Sequence, residues 1–177
     1  MQVDWYKNPI KATPKTGILY KGWGKKKKEF FHPFPLHHVA LHYDTYQLQD
    51  FIINNIPISI ESRHINSYSE VDADYIFDCR GFPSDYEDYE ELKNPVNASL
   101  LSNIDEVYHD VRWTTSQATP DGWCFIIPTT EGTSLGYLFN SNITEEKLAE
   151  DNFRKLFGIS KINGRLAFKN YMAKEPI

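Results

Sequence analysis

The chain is poor in cysteine and in long apolar runs, and it carries no excess of basic charge. Two cysteines in 177 residues exclude a disulfide-stapled scaffold. Cys79 and Cys124 each sit inside an apolar run, which predicts buried free thiols in a reducing compartment. No stretch approaches the roughly 20 consecutive apolar residues of a bilayer-spanning helix, so no membrane role is expected. Met1-Gln2-Val3-Asp4-Trp5 lacks a basic segment followed by an apolar one, so the expectation is a cytoplasmic chain without a signal peptide. With 19 Lys and Arg against 24 Asp and Glu, the net charge is −5. Nucleic-acid binding, which depends on cations that neutralise phosphates, is therefore not expected. No G-x-G-x-x-G frame, P-loop or nucleophile elbow occurs. Gly22-Trp23-Gly24 is followed by lysines rather than by a helix.

What the chain does have is 41% hydrophobic and 15% aromatic residues, enough to bury the core of one domain. The patterning predicts an α+β fold: a mixed, largely antiparallel sheet with two main helices. Thr16–Lys21 alternates as a strand, the turn carrying Lys25–Lys28 follows, and Glu29–His32 returns. Asp44 and Gln47, spaced as in a capping box, open a helix to about Asn54 with an apolar face of Leu48, Phe51 and Ile52. Ile58–Ile60 starts a strand, Ser62–Glu70 reads as a hairpin partner or surface ribbon, and Tyr75–Cys79 reads as a buried strand ending at Gly81. Asp85–Lys93 is acidic and tyrosine-rich, a surface loop or short helix. Strands around Ala98–Ser102, Arg112–Ala118, Trp123–Ile127 and Leu135–Phe139 read as an antiparallel meander. Thr144 is expected to cap a second helix to about Phe157, with Leu148, Phe153 and Leu156 on its apolar face and Gly158 at its end. Leu166–Tyr171 reads as a final strand.

Several residues could carry chemistry. His32, His37, His38 and His42 crowd together near Asp44, but two prolines and adjacent histidines frame no ligand spacing, and no metal is expected. Lys15 follows a proline and enters an apolar strand beside aromatics. Such a lysine can hydrogen-bond or react as an amine, or it can simply extend its stem along the surface. Trp123 and Phe125 lie two residues apart and share a sheet face. They form either a core pair or a wall for a flat ring system.

These stretches also occur in order in one family. Ala12-Thr13-Pro14-Lys15-Thr16-Gly17-Ile18-Leu19-Tyr20-Lys21-Gly22-Trp23 resembles the segment of flavin-dependent tryptophan halogenases that carries their active-site lysine. Phe31-His32-Pro33-Phe34 resembles the His-Pro-Phe that follows it, and His42-Tyr43-Asp44 resembles the family's His-aromatic-Asp and helix. Ala73–Phe82 is similar to its strand and turn at the flavin domain. Gly122–Pro128 resembles its Trp-x-Trp-x-Ile-Pro signature, with Phe125 at the second Trp, and Gly136–Ser141 matches what comes next.

The resemblance implies an FADH2-dependent halogenase that chlorinates or brominates an electron-rich, indole-like aromatic through hypohalous acid. Lys15 falls on the catalytic lysine. Trp123, Phe125 and Pro128 fall on the signature and ring wall, and Asp78 and Gly81 lie near the cofactor. His32, Phe34 and His42 fall in the substrate cleft. FAD reduced by a separate flavin reductase, together with chloride or bromide, is implied. The Gly-rich FAD-phosphate turn and the Glu-containing segment of the family have no counterpart between residues 1 and 177. The chain is therefore expected to be a single incomplete domain over residues 1–177, the central part of the monooxygenase-like halogenase fold. By itself it is expected to be inactive, to bind FAD weakly, and to associate with a companion chain or with itself. Phe125 keeps a flavin-dependent hydroxylase relative open as the second reading. A non-catalytic remnant binding an aromatic ligand or a partner chain is the third.

Overall fold

A computed structural model describes residues 8–38, 40–79, 81–82, 86–108 and 110–174. The readings of Met1–Trp5, Arg80, Asp85 and Glu175-Pro176-Ile177 lie outside the described residues. The α+β expectation holds, with two α-helices and a mixed, mostly antiparallel sheet among the described residues.

The chain begins with β1 (Thr13–Lys15), β2 (Gly17–Trp23), β3 (Lys28–Pro33), β4 (Ala40–His42) and α1 (Thr45–Asn55). The alternating Gly17–Trp23 run and the lysine turn make the hairpin that the sequence indicates, with Gly24 at φ +70° opening the turn. Asp44 caps α1 by accepting the Gln47 backbone N–H at 3.0 Å, so one orphan donor of the first turn is satisfied. Leu48, Phe51 and Ile52 are half-buried on one face of α1.

The middle of the chain departs from expectation. Ile58–Ile60 forms no strand, and Ser62–Glu70 is irregular apart from a 3₁₀ turn at Tyr68–Glu70. Tyr75–Cys79 is neither a strand nor buried: Tyr75 is 84% and Phe77 87% exposed. Cys79 is correspondingly an exposed thiol, not a buried one. An apolar run becomes a buried strand only when a neighbouring strand takes up its backbone groups. No described strand pairs with this one.

The second half contains β5 (Tyr89–Glu91), β6 (Ala98–Ile104), β7 (Trp113–Ala118), β8 (Gly122–Pro128) and β9 (Thr133–Phe139). It ends with α2 (Glu146–Phe157), β10 (Gly164–Ala167) and β11 (Tyr171–Ala173). The acidic stretch thus contributes a short strand, and Leu166–Tyr171 is replaced by two strands. β5 pairs with β11, and β1 with β4, as separate two-stranded ladders. The large sheet has the order β10-β6-β9-β8-β7-β2-β3. β7, β8 and β9 form the expected meander, but β6 sits beyond β9 rather than beside β7. Among the described residues the one parallel pairing joins β2 to β7, Gly17 opposite Trp113 through Lys21 opposite Gln117.

The core lies between one face of β6, β8 and β9 and the inner stripe of α2. Leu100, Cys124, Leu135, Tyr137 and Phe139 meet Ala149 and Phe153 there. The Phe153 ring packs 5.5 Å from Tyr137 and 5.6 Å from Phe157. Burial pushes the Cys124 thiol pKa up, so Cys124 is inert packing. α2 is amphipathic as expected, but its buried stripe is Ala149 and Phe153. Leu148 is 52% exposed and Leu156 40%. Thr144 does not cap α2; its hydroxyl donates to Asp121 at 3.4 Å, and Glu145 occupies the cap position without a side-chain bond. Gly158, at φ +65°, ends the helix as expected. Asp121 also accepts from Tyr137 Oη and, at 2.8 Å, from Asn152 Nδ2. The β7–β8 turn is thereby tied to α2.

Truncating Phe153 to Ala should destabilise the chain by about 3–5 kcal/mol, because the ring fills the space between α2 and the sheet. Leu148→Ala, on the neighbouring exposed stripe, should stay within about 0.5 kcal/mol of the parent. Denaturant unfolding of both variants checks the assignment, and equal losses would show that the helix face has been misplaced.

Candidate functional site

The β1–β4 ladder is too short to stand alone, and three backbone contacts fix it to the large sheet. Thr16 donates its N–H to the Arg112 carbonyl at 2.7 Å and its hydroxyl to the same oxygen at 2.9 Å. Phe34 N–H donates to Thr16 at 2.8 Å. The β8–β9 turn holds the lead-in: Thr130 Oγ1 donates to the Lys11 carbonyl at 3.1 Å, and Lys11 Nζ pairs with Glu131 at 2.7 Å.

In this ladder Thr13 faces His42 and Lys15 faces Ala40. The two-residue period puts Lys15 and His42 on one face, with Pro14 and Leu41 on the other. Pro14 and Leu41 are exposed, Lys15 is half-buried and His42 is 5% exposed. Lys15 Nζ lies 5.6 Å from the centroid of the Phe34 ring, within cation–π range. Partial burial pulls the Lys15 pKa below the usual lysine value, which raises the share of neutral amine. His42 Nε2 is hydrogen-bonded to Thr114 Oγ1 on β7 at 2.9 Å. Its Nδ1 is buried without a well-formed hydrogen bond. Burial, and then the Lys15 charge, hold the His42 pKa below that of ordinary histidine, while the Pro128 carbonyl acts in the opposite sense. The structure therefore brings Lys15, Phe34 and His42 together, with Thr114 and Pro128 behind them. Thr114 carried no sequence signal, because only the docking of β4 on β7 gives it a role.

The other expected site residues are dispersed. His32 is exposed on β3, its ring 6.4 Å from Phe30. Trp123 and Phe125 share a face of β8, edge-on with centroids 6.4 Å apart. Pro128 is three residues beyond Phe125 and turns to the opposite face, so it does not complete a wall with that pair. The Phe125 ring lies over Gly136, where a Cβ would come within 2.1 Å of the ring. Asp78, expected beside a cofactor at the end of a buried strand, is exposed and accepts from Tyr68 Oη at 2.8 Å. Gly81 is exposed at φ +104° in open space. The four histidines form no metal centre: no group of three His, Cys, Asp or Glu side chains converges among the described residues. No described helix is long and apolar enough to cross a membrane.

A flavin dinucleotide needs a cradle of free backbone N–H groups for its diphosphate, commonly at a helix start. Asp44 already occupies that position on α1, and Glu145 and Glu146 set negative charge at the start of α2. Neither of the two described α-helix starts fits the diphosphate.

A sequence model of the tryptophan halogenase family matches residues 57–170. Among solved structures, MibH, a tryptophan 5-halogenase, aligns over 97% of this chain and 47% of its own, with TM-score 0.75 and 16% identity. Xcc4156, a flavin-dependent halogenase from Xanthomonas campestris, aligns over 93% of this chain and 49% of its own, with TM-score 0.70 and 16% identity. SttH, a tryptophan 6-halogenase from Streptomyces toxytricini, aligns over 98% of this chain and 52% of its own, with TM-score 0.70 and 13% identity. At these identities the likeness is one of fold. The chain spans about half the length of these structures. Comparison with curated proteins finds no match.

The buried imidazole gives a pH test. Its native pKa is lowered, so below about pH 6.5 the unfolded chain binds a proton that the native chain refuses. Stability should fall as pH drops through about 6.5 toward the native value. Melting temperatures between pH 7.5 and 5 should show this fall in the parent and less of it in His42→Gln. Identical slopes would mean that His42 is not the group responsible.

Proposed function

The chain belongs to the tryptophan halogenase family, and from that premise we propose that it carries the halogen-transfer lysine of a flavin-dependent halogenase, Lys15, which acts on an electron-rich, indole-like ring. The observation that carries this reading is the placing of Lys15: half-buried, its pKa lowered, its Nζ over the Phe34 ring.

The chemistry asked of Lys15 is modest. Its neutral amine takes the halogen from hypohalous acid, forming an N–halogen bond as water leaves. The ring carbon then takes the halogen as the N–halogen bond breaks, and the proton that this carbon gives up ends on the nitrogen, which restores the amine. A hydrogen-bonded hypohalous acid held by Lys15 would reach the same product with water as the leaving group. Depressing the amine's proton affinity favours the first route, because only the unprotonated nitrogen is nucleophilic. Phe34, beside Nζ, offers an apolar face for the substrate ring. FAD reduced by a separate reductase, with chloride or bromide, is the proposed source of the oxidant, and the diphosphate of that flavin is not expected to bind tightly to the residues described here.

A second reading, association with a companion chain or with another copy, rests on the exposed apolar side chains between α1 and Phe82. Ile56, Ile58, Ile60, Tyr75 and Phe77 are all open to solvent, more apolar surface than scattered exposure accounts for. Light scattering should find species larger than one chain, and a clean monomer would remove the reading.

The halogenation reading is tested by Lys15→Ala in a complete enzyme carrying this sequence. Product formation from tryptophan or another indole should fall by about 10²–10⁴-fold or more, the range for a positioned acid–base group. Hydrogen peroxide release from flavin oxidation should persist. Lys15→Arg should also fail, since a guanidinium keeps charge but cannot carry halogen in the same way. Lys26→Ala should leave the rate unchanged. Halogenation by Lys15→Ala near the parent rate would sink the assignment.

A further inference from the structure

His42 is the one strongly buried titratable group beside Lys15 that the reaction above leaves unused. It stands diagonally across the β1–β4 ladder from Lys15, on the same face. Its Nε2 is anchored 2.9 Å from Thr114 Oγ1 of β7. Its Nδ1 is buried without a well-formed hydrogen bond, and the Pro128 carbonyl is the backbone group that favours a proton on the ring.

We propose that His42 is a positioning residue for Lys15. Anchored on Thr114, it holds the β1–β4 ladder against the large sheet, and its open ring nitrogen makes the Lys15 amine answer to the charge on His42. The inference rests on the reading of Lys15 as the reactive amine, but the coupling itself does not depend on halogenation.

The physical argument is one of shared charge. The groups facing the imidazole from the packed elements are Lys15 from β1, the Thr114 hydroxyl from β7 and the Pro128 carbonyl from β8. Of these only Lys15 carries charge. Two positive charges on one face of a short ladder repel, so a charge on either site weakens proton binding at the other. With His42 neutral, the ammonium is tolerated over Phe34. A proton on His42 lowers the proton affinity of the Lys15 amine beside it, so a given share of that amine is neutral at a lower pH, or it drives the ammonium away from the ring. Thr114 matters because a freely turning imidazole would carry its charge to solvent.

The test uses the chain itself and acetic anhydride as the amine probe. The acetylation rate of Lys15 is read by mass spectrometry from pH 5 to 10, with exposed Lys26 in the lysine turn as the internal reference. In the parent, the Lys15 profile should show two inflections, one near the His42 titration and one at the amine's own. His42→Gln, which can still bond Thr114, should collapse the profile to a single inflection. Thr114→Val should blur the first inflection, and Thr114→Ser should restore it. In the complete enzyme, Thr114→Val, which removes the anchor, should lower kcat at neutral pH by tenfold to about 10²-fold, as misplaced reacting groups do, whereas His42→Gln should keep most of it. His42→Gln should also remove the acid limb of the pH profile. Superimposable Lys15 profiles in the parent and His42→Gln would overturn the proposal. So would a loss of kcat that follows melting temperature while the acid limb stays in place, because that is what a purely structural histidine would give. Should Lys15→Ala still halogenate, the labelling result would stand and only the assignment of the lysine would fall.

Discussion

The parallel pairing of β2 with β7 is the constraint on which the rest of this chain depends. Every other pairing in the large sheet is antiparallel. This one joins a hairpin near the start of the chain to a meander more than ninety residues later. It fixes where β1 leaves the sheet, and so where Lys15 stands relative to Phe34 and His42. The Thr16 bonds to Arg112, the His42 bond to Thr114 and the Trp23 indole bond to the Ser116 carbonyl at 2.9 Å all follow from that one register. Each is single and modest, on the order of 1 kcal/mol. Together they leave β1 little freedom to slide, because a shift of one residue would turn Lys15 to the opposite face.

The elements most legible in the sequence were those specified locally. The Asp44 cap, the Gly158 stop and the β7–β9 meander announce themselves through turn and cap chemistry, and all three occur. Most of what failed required a distant partner, and even the local Thr144 cap is lost to a hydroxyl turned toward Asp121 of the β7–β8 turn. Tyr75–Cys79 has the composition of a buried strand and lies exposed, because strand pattern describes a surface in search of a neighbour and no described strand supplies one. In α2 the large Leu148 and Leu156 suggested the buried face. Of the expected face only Phe153 is buried, and its partner in the buried stripe is the small Ala149. The parallel register could not be read at all, since nothing in β2 or β7 alone selects the other.

The site divided along the same line. Lys15, Phe34 and His42 were singled out from residue type and family resemblance, and the ladder gathers them. Thr114 stayed invisible because an isolated threonine in a strand is ordinary until β4 lies across it. Pro128 stands with Trp123 and Phe125 through the family signature that the segment resembles, and the period of two places it on the other face of β8. The exposure of Asp78 and Gly81 follows from the lost strand and not from any feature of those two residues.

The contact between Phe125 and Gly136 has a consequence for how this chain can change over time. The ring lies where a side chain at 136 would begin, so the two positions are free to vary only together. A bulkier aromatic at 125 needs the bare backbone at 136. Any side chain at 136 would displace the ring from the face it shares with Trp123. The pair is therefore epistatic, and a lineage holding glycine at 136 keeps access to both Phe and Trp at 125. One that replaces the glycine first must turn the ring of residue 125 aside, because the far end of that ring is what the new side chain would meet.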